Sequence, residues 1–147
     1  MNLGNLFFSF QGRINRAKYW LVSLTWLAVW IVVWLAVIAA VFTSGSWGPA
    51  GMIGFVVLIP SIVSGVSVGI RRLHDRDKSG WWLLVFYLAP GILQSAGSQM
   101  GTVGLILSLA GFGISVWAFV ELGCLRGTAG PNAYGPDPLG ASVAQPA

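Results

Sequence analysis

All twelve charged side chains of this 147-residue chain sit in three short segments, and the sequence between them is apolar and uncharged. Arg13, Arg16 and Lys18 lie near the start. Arg71, Arg72, Asp75, Arg76, Asp77 and Lys78 form a middle group around His74, and Glu121, Arg126 and Asp137 come near the end. Two pairs of apolar stretches separate the groups. An even number of crossings between groups puts every charge on one side of a bilayer, the pattern of a small polytopic membrane protein. A soluble reading fails on coverage, because charged residues make up 8% of the chain against roughly a quarter in ordinary globular proteins.

The apolar stretches read as helices. Tyr19 to Phe42 gives 24 uncharged residues, about 36 Å of helix against a hydrocarbon core of about 30 Å. A cleaved signal has a shorter apolar centre of about 7–15 residues, so this stretch is expected to remain as an anchor. Transmembrane helices are expected over 17–42, 50–75, 81–96 and 102–122, making an all-α bundle of four helices in a single domain covering 1–138. Asn15 is placed to cap the first of them. Leu3, Leu6, Phe7, Phe8 and Phe10 suggest a short segment lying in the interface plane before it.

Pro60 falls inside the second helix and should kink it, with the released carbonyl met by a neighbour or by Ser61. Pro90-Gly91 makes the third helix short, kinked or partly re-entrant. Ser61, Gly65 and Gly69 recur every four residues and allow close approach of another helix, within the chain or in a second copy. From Gly123 to Pro138 the composition turns to a Gly/Pro-rich tail, and Gly127 to Gly140 alone holds four Gly and three Pro, which a spanning helix does not accept. Residues 139–147 are expected to be disordered.

Under the four-helix reading all eight Lys and Arg share one side, which the positive-inside rule makes the cytoplasm. Both termini then lie in the cytoplasm. The net charge of +4 flanks membrane segments, so it points to anionic lipid rather than to nucleic acid. Arg71 and Asp75 are i,i+4 neighbours on a helix leaving the bilayer, as are Arg72 and Arg76. The first pair is expected to bond internally, leaving Arg72 and Arg76 cationic. With Arg13, Arg16, Lys18 and Arg71 they form a basic collar for lipid headgroups or a protein partner.

Three blocks stand out in order: Phe10-Gln11-Gly12-Arg13-Ile14-Asn15-Arg16-Ala17-Lys18-Tyr19-Trp20; Arg71-Arg72-Leu73-His74-Asp75-Arg76-Asp77-Lys78-Ser79-Gly80-Trp81-Trp82; and Gly127-Thr128-Ala129-Gly130-Pro131-Asn132-Ala133-Tyr134-Gly135-Pro136-Asp137-Pro138. Separated by hydrophobic helices, they resemble the family of small bacterial inner-membrane proteins called domain of unknown function 805, over about Phe7 to Pro138. The resemblance implies an inner-membrane protein of about four helices and brings no activity, substrate or catalytic residue. With it, the tail is expected to fold back under the bundle, Asp137 pairing an arginine of the 71–76 segment and Tyr134 packing on the collar.

His74, Asp75, Asp77, Asn132, Tyr134 and Asp137 thus make a polar cluster, structural or functional. One His with scattered Asp lacks the ligand spacing of a zinc site, so no metal, cofactor or catalytic residue is assigned. Cys124, the single cysteine, excludes an intramolecular disulfide and reads as a small residue at a helix end. The leading expectation is a non-enzymatic membrane protein acting through its basic collar on anionic lipid or a membrane-protein partner, with self-association open. An oligomeric transporter or channel is the alternative, although no charge lies deep in the membrane as ion pathways usually require. A membrane-embedded enzyme using His74 and Asp75 is the third.

Overall fold

The computed structural model describes residues 2–140. Helices α1 (Leu3–Phe8), α2 (Arg16–Ser44), α3 (Gly48–Asp75), α4 (Trp82–Gly97) and α5 (Gly101–Phe119) follow in order, and α5 runs into a π-helical turn at Val120–Cys124. Three segments, Arg16–Ser44, Gly51–Asp75 and Gly101–Cys124, are long and apolar enough to cross a membrane. The fourth, α4, has 16 residues, about 24 Å of helix, and is shorter than a typical hydrocarbon core. The expected all-α bundle of four apolar helices is therefore present. Of the segment expected to be disordered, Leu139 and Gly140 continue a turn in which Gly140 N–H donates to the Asp137 carbonyl, and 141–147 lie outside the described residues.

Local chemistry sets the boundaries. The Asn15 side chain accepts the Lys18 N–H at 2.9 Å and starts α2, as the sequence suggests. α3 stays helical through Pro60, and the Ser61 hydroxyl donates to Leu58 O at 2.8 Å rather than to the carbonyl that proline releases. α4 likewise continues through Pro90 as one helix and returns into α5 as an antiparallel hairpin. That hairpin depends on missing side chains, because a Cβ on Gly104 would overlap the Gly97 carbonyl. The small-residue stripe on α3 is only partly used: Gly69 lies against Leu83 of α4, and Gly65 faces open space.

The burial pattern is inverted relative to a soluble protein. Leu27, Ile31 and Trp34 on α2 and Leu105, Leu109 and Phe112 on α5 are exposed, whereas Arg72 is the largest fully buried side chain. Arg71, Asp75, Glu121, Ser64 and Ser67 are buried as well. An apolar exterior of this extent needs lipid around it. Lipid tails also remove the hydrophobic drive for helices to associate, so van der Waals packing and polar bonds must hold the bundle. Two small apolar clusters, Leu73, Leu83, Phe86, Ala118 and Leu122 beside Leu6, Ile14, Val22 and Val68, lie next to the charged residues. Packing and charge are concentrated at the same end.

α1 is docked, not merely laid on a surface. Of its last carbonyls Asn5 O accepts only the long bond from the Ser9 N–H at 3.4 Å, and α3 supplies donors to it and to the next two. Ser67 Oγ donates to Phe7 O at 2.7 Å, and Arg71 donates to Asn5 O at 3.1 Å and to Leu6 O. A guanidinium at this end also suits the negative pole of the short helix.

Candidate functional site

The charged end is built by arginines bonding to backbone carbonyls. Five successive carbonyls leave the π-helical turn, and each is met by a side chain from another helix. Arg72 Nε donates to Leu122 O at 2.8 Å, Trp20 Nε1 to Gly123 O at 2.9 Å, and Arg16 Nη1 to Cys124 O at 3.1 Å. Arg72 Nη2 then donates to Leu125 O, and Arg76 Nη1 to Arg126 O at 2.6 Å. Carbonyls at the end of a helix would otherwise be orphaned near lipid, where each unsatisfied group costs several kcal/mol. Here α2 and α3 cap α5.

Asp75 is the hinge of the arrangement. Its Oδ1 accepts from Arg13 Nε at 3.1 Å and its Oδ2 accepts from Arg72. Arg13 continues into the tail, donating to Thr128 O at 2.6 Å and to Gly130 O at 2.8 Å. The Asp75 carbonyl accepts the Thr128 N–H at 2.8 Å, and Asn132 Nδ2 donates to His74 O at 2.8 Å. The tail crosses so closely that a Cβ on Gly127 would fall on the Asp75 carboxylate. The three sequence blocks thus meet in one clasp. Their meeting also places all three charge groups at one end of the bundle, so α4 is not a re-entrant loop that sends Arg126 to the far end.

Several expectations need correcting. Arg71 does not pair with Asp75, because the end of α1 claims it, and Asp75 takes Arg72 at i,i+3 and Arg13 from the first block. Arg72 is consequently not a free cation. Arg13, Arg71 and Arg72 are buried, with the Arg13 side chain 1% exposed, so half of the expected collar does not face outward. Arg76 and Lys78 share one oxygen of Glu121 at 3.0 and 3.1 Å. Arg16 is exposed and Lys18 half-buried, and neither has a carboxylate partner among the described residues.

The tail folds back as expected, but through different contacts. Asp137 bonds within the tail, accepting Gly130 N–H at 3.1 Å and Leu139 N–H at 2.8 Å, and makes no pair with residues 71–76. The backbone donors of Leu139 and Gly130 hold its carboxyl below the ordinary aspartate value. Tyr134 stacks on His74, with ring centres 3.9 Å apart and planes 6° from parallel. Asp77 is exposed at the turn after α3, with φ 56. A His74–Asp75 acid–base pair does not form, since both Asp75 oxygens are held by arginines. Among the described residues no group of three or more His, Cys, Asp or Glu side chains could hold a metal ion.

Sequence reasoning missed Trp20, Ser67, Thr128 and Gly127 as members of the clasp. One signal was available. Eight cations face four carboxylates, and where cations outnumber acids at helix ends, carbonyls are the next acceptors.

The family described as "Protein of unknown function (DUF805)" matches residues 7–136, a span that includes the first two blocks and the third as far as Pro136. The chain is 30% identical to "Inner membrane protein YhaH" of Escherichia coli K12, over 88% of this chain and 86% of that protein. It is 28% identical to "Uncharacterized protein YiiR", over 93% and 90% of the two, and 28% identical to "Inner membrane protein YhaI", over 88% and 85%, both from the same organism. No solved structure matches. With nearly the whole length matched, and the matched blocks being those that build the clasp, the chain belongs to the DUF805 family.

Proposed function

We propose that this is a non-enzymatic integral protein of a bacterial inner membrane, its charged end in the cytoplasm, that binds anionic phospholipid headgroups through Arg16, Lys18 and Arg126. The names of YhaH and YhaI support the membrane, and eight Lys and Arg at one end support the orientation. The observation that carries the reading is the division of the cations. The side chains of Arg13, Arg71 and Arg72 are buried in carbonyl and carboxylate bonds, while Arg16 and Arg126 stay exposed and Lys18 half-exposed beside them. Lys18 and Arg126 are surface, and Arg16 caps Cys124 O through Nη1 while its other donors face outward. The occupied oxygens of Asp75 and the stacked ring of His74 argue against the enzyme alternative.

Purification in mild detergent followed by native mass spectrometry tests this. Phosphatidylglycerol or cardiolipin should be retained in excess over phosphatidylethanolamine. The variant carrying Arg16→Gln, Lys18→Gln and Arg126→Gln should lose that excess while remaining folded. Retention equal to wild type would refute the assignment.

A further inference from the structure

We propose that a hollow of about 190 Å³ at the charged end is a discrete site for one phosphate group, as an ester or as the free ion. This deepens the lipid reading above and rests on it only for the source of the ligand. Asn15, Arg16, Asp75, Arg126, Gly127 and Asp137 line the hollow, between the start of α2, the exit of the π-helical turn and the tail.

Two carboxylates stand in the wall, and every one of their oxygens already accepts from a donor within the protein. Asp75 is held by Arg13 and Arg72, and Asp137 by the N–H groups of Gly130 and Leu139. The donors, in contrast, are in surplus. Arg16 uses only Nη1, on Cys124 O, and the Arg126 side chain makes no hydrogen bond among the described residues. Arg16 is also the first residue of a 29-residue helix whose cap accepts only the Lys18 N–H through its side chain, which adds the positive pole of α2 to the same wall. Two forked guanidiniums and a helix start suit a tetrahedral, multiply charged oxyanion better than a single carboxylate.

The test uses the full chain, delipidated in a neutral detergent, and follows thermal unfolding while inorganic phosphate is titrated at constant ionic strength against chloride. Phosphate should raise the midpoint saturably and chloride should not. Arg126→Gln removes an exposed side chain outside the clasp, so its unliganded midpoint should match wild type and its phosphate affinity should fall about tenfold or more. Arg16→Gln should weaken phosphate as well. Competition by phosphatidylglycerol assigns the site to a lipid headgroup. Saturable phosphate binding without that competition supports the site and assigns it to a soluble phosphate ester. Absence of any saturable response, or an equal response in Arg126→Gln, overturns the site. If anionic lipid retention is nevertheless lost in the triple variant, the broader lipid reading survives that failure.

Discussion

Asp75 shows how much depends on single side chains here. Its carboxylate is 3% exposed and bridges Arg13 and Arg72, one on each oxygen. Removing one partner of a buried ion pair leaves charge without compensation and costs about 3–5 kcal/mol. Asp75→Asn is therefore expected to lower resistance to denaturing detergent by that order, and Asp77→Asn, at an exposed turn, to change it little. Asp137 gives a pH signature. Its carboxyl is held below the ordinary aspartate value by two backbone donors, so its contribution is complete above about pH 4 and fades as pH falls through the depressed folded value. Protease sensitivity of the tail should rise below that pH in wild type, whereas Asp137→Asn should show the higher sensitivity already at neutral pH. The sequence identified most of these residues as a group. It could not show which carbonyl each arginine reaches, because that depends on where the ends of α1 and α5 come to rest.

At the scale of elements, apolar length was the legible quantity. Uncharged runs and the Asn15 cap place α2, α3 and α4 within two residues of their expected ends. The π-helical turn was not legible: its residues, Val120 to Cys124, carry no distinctive pattern, and the widened turn is seen only once its carbonyls are matched to donors from α2 and α3. α4 and α5 illustrate the opposite case. Gly97 is the last residue of α4 and Gly104 lies in the first turn of α5, and only the structure shows that their backbones are nearly in contact. Gly104→Leu must push the two helices apart. The variant should show a loss of stability of several kcal/mol in a denaturing-detergent titration, while Gly113→Leu, which meets open space, should be close to wild type.

For the whole molecule, the sequence pattern of three charged blocks between apolar helices becomes a bundle with a bonded end and a looser one. The blocks are far apart in the chain, with Arg13 meeting Gly130 across 117 residues, yet they close into one structure. Fold class and the shared end were readable because charge is expelled from lipid. The interior role of the arginines was not, since exposure is the default expectation for charge and only the geometry shows carbonyls replacing water. The clasp requires that division between buried and outward cations. Labelling the native protein in detergent with an arginine-selective dicarbonyl, and mapping adducts by peptide mass spectrometry, measures it residue by residue. Arg16 and Arg126 should react quickly while Arg13, Arg71 and Arg72 stay protected until the bundle is unfolded. Equal reactivity of all five in the folded protein would contradict the clasp.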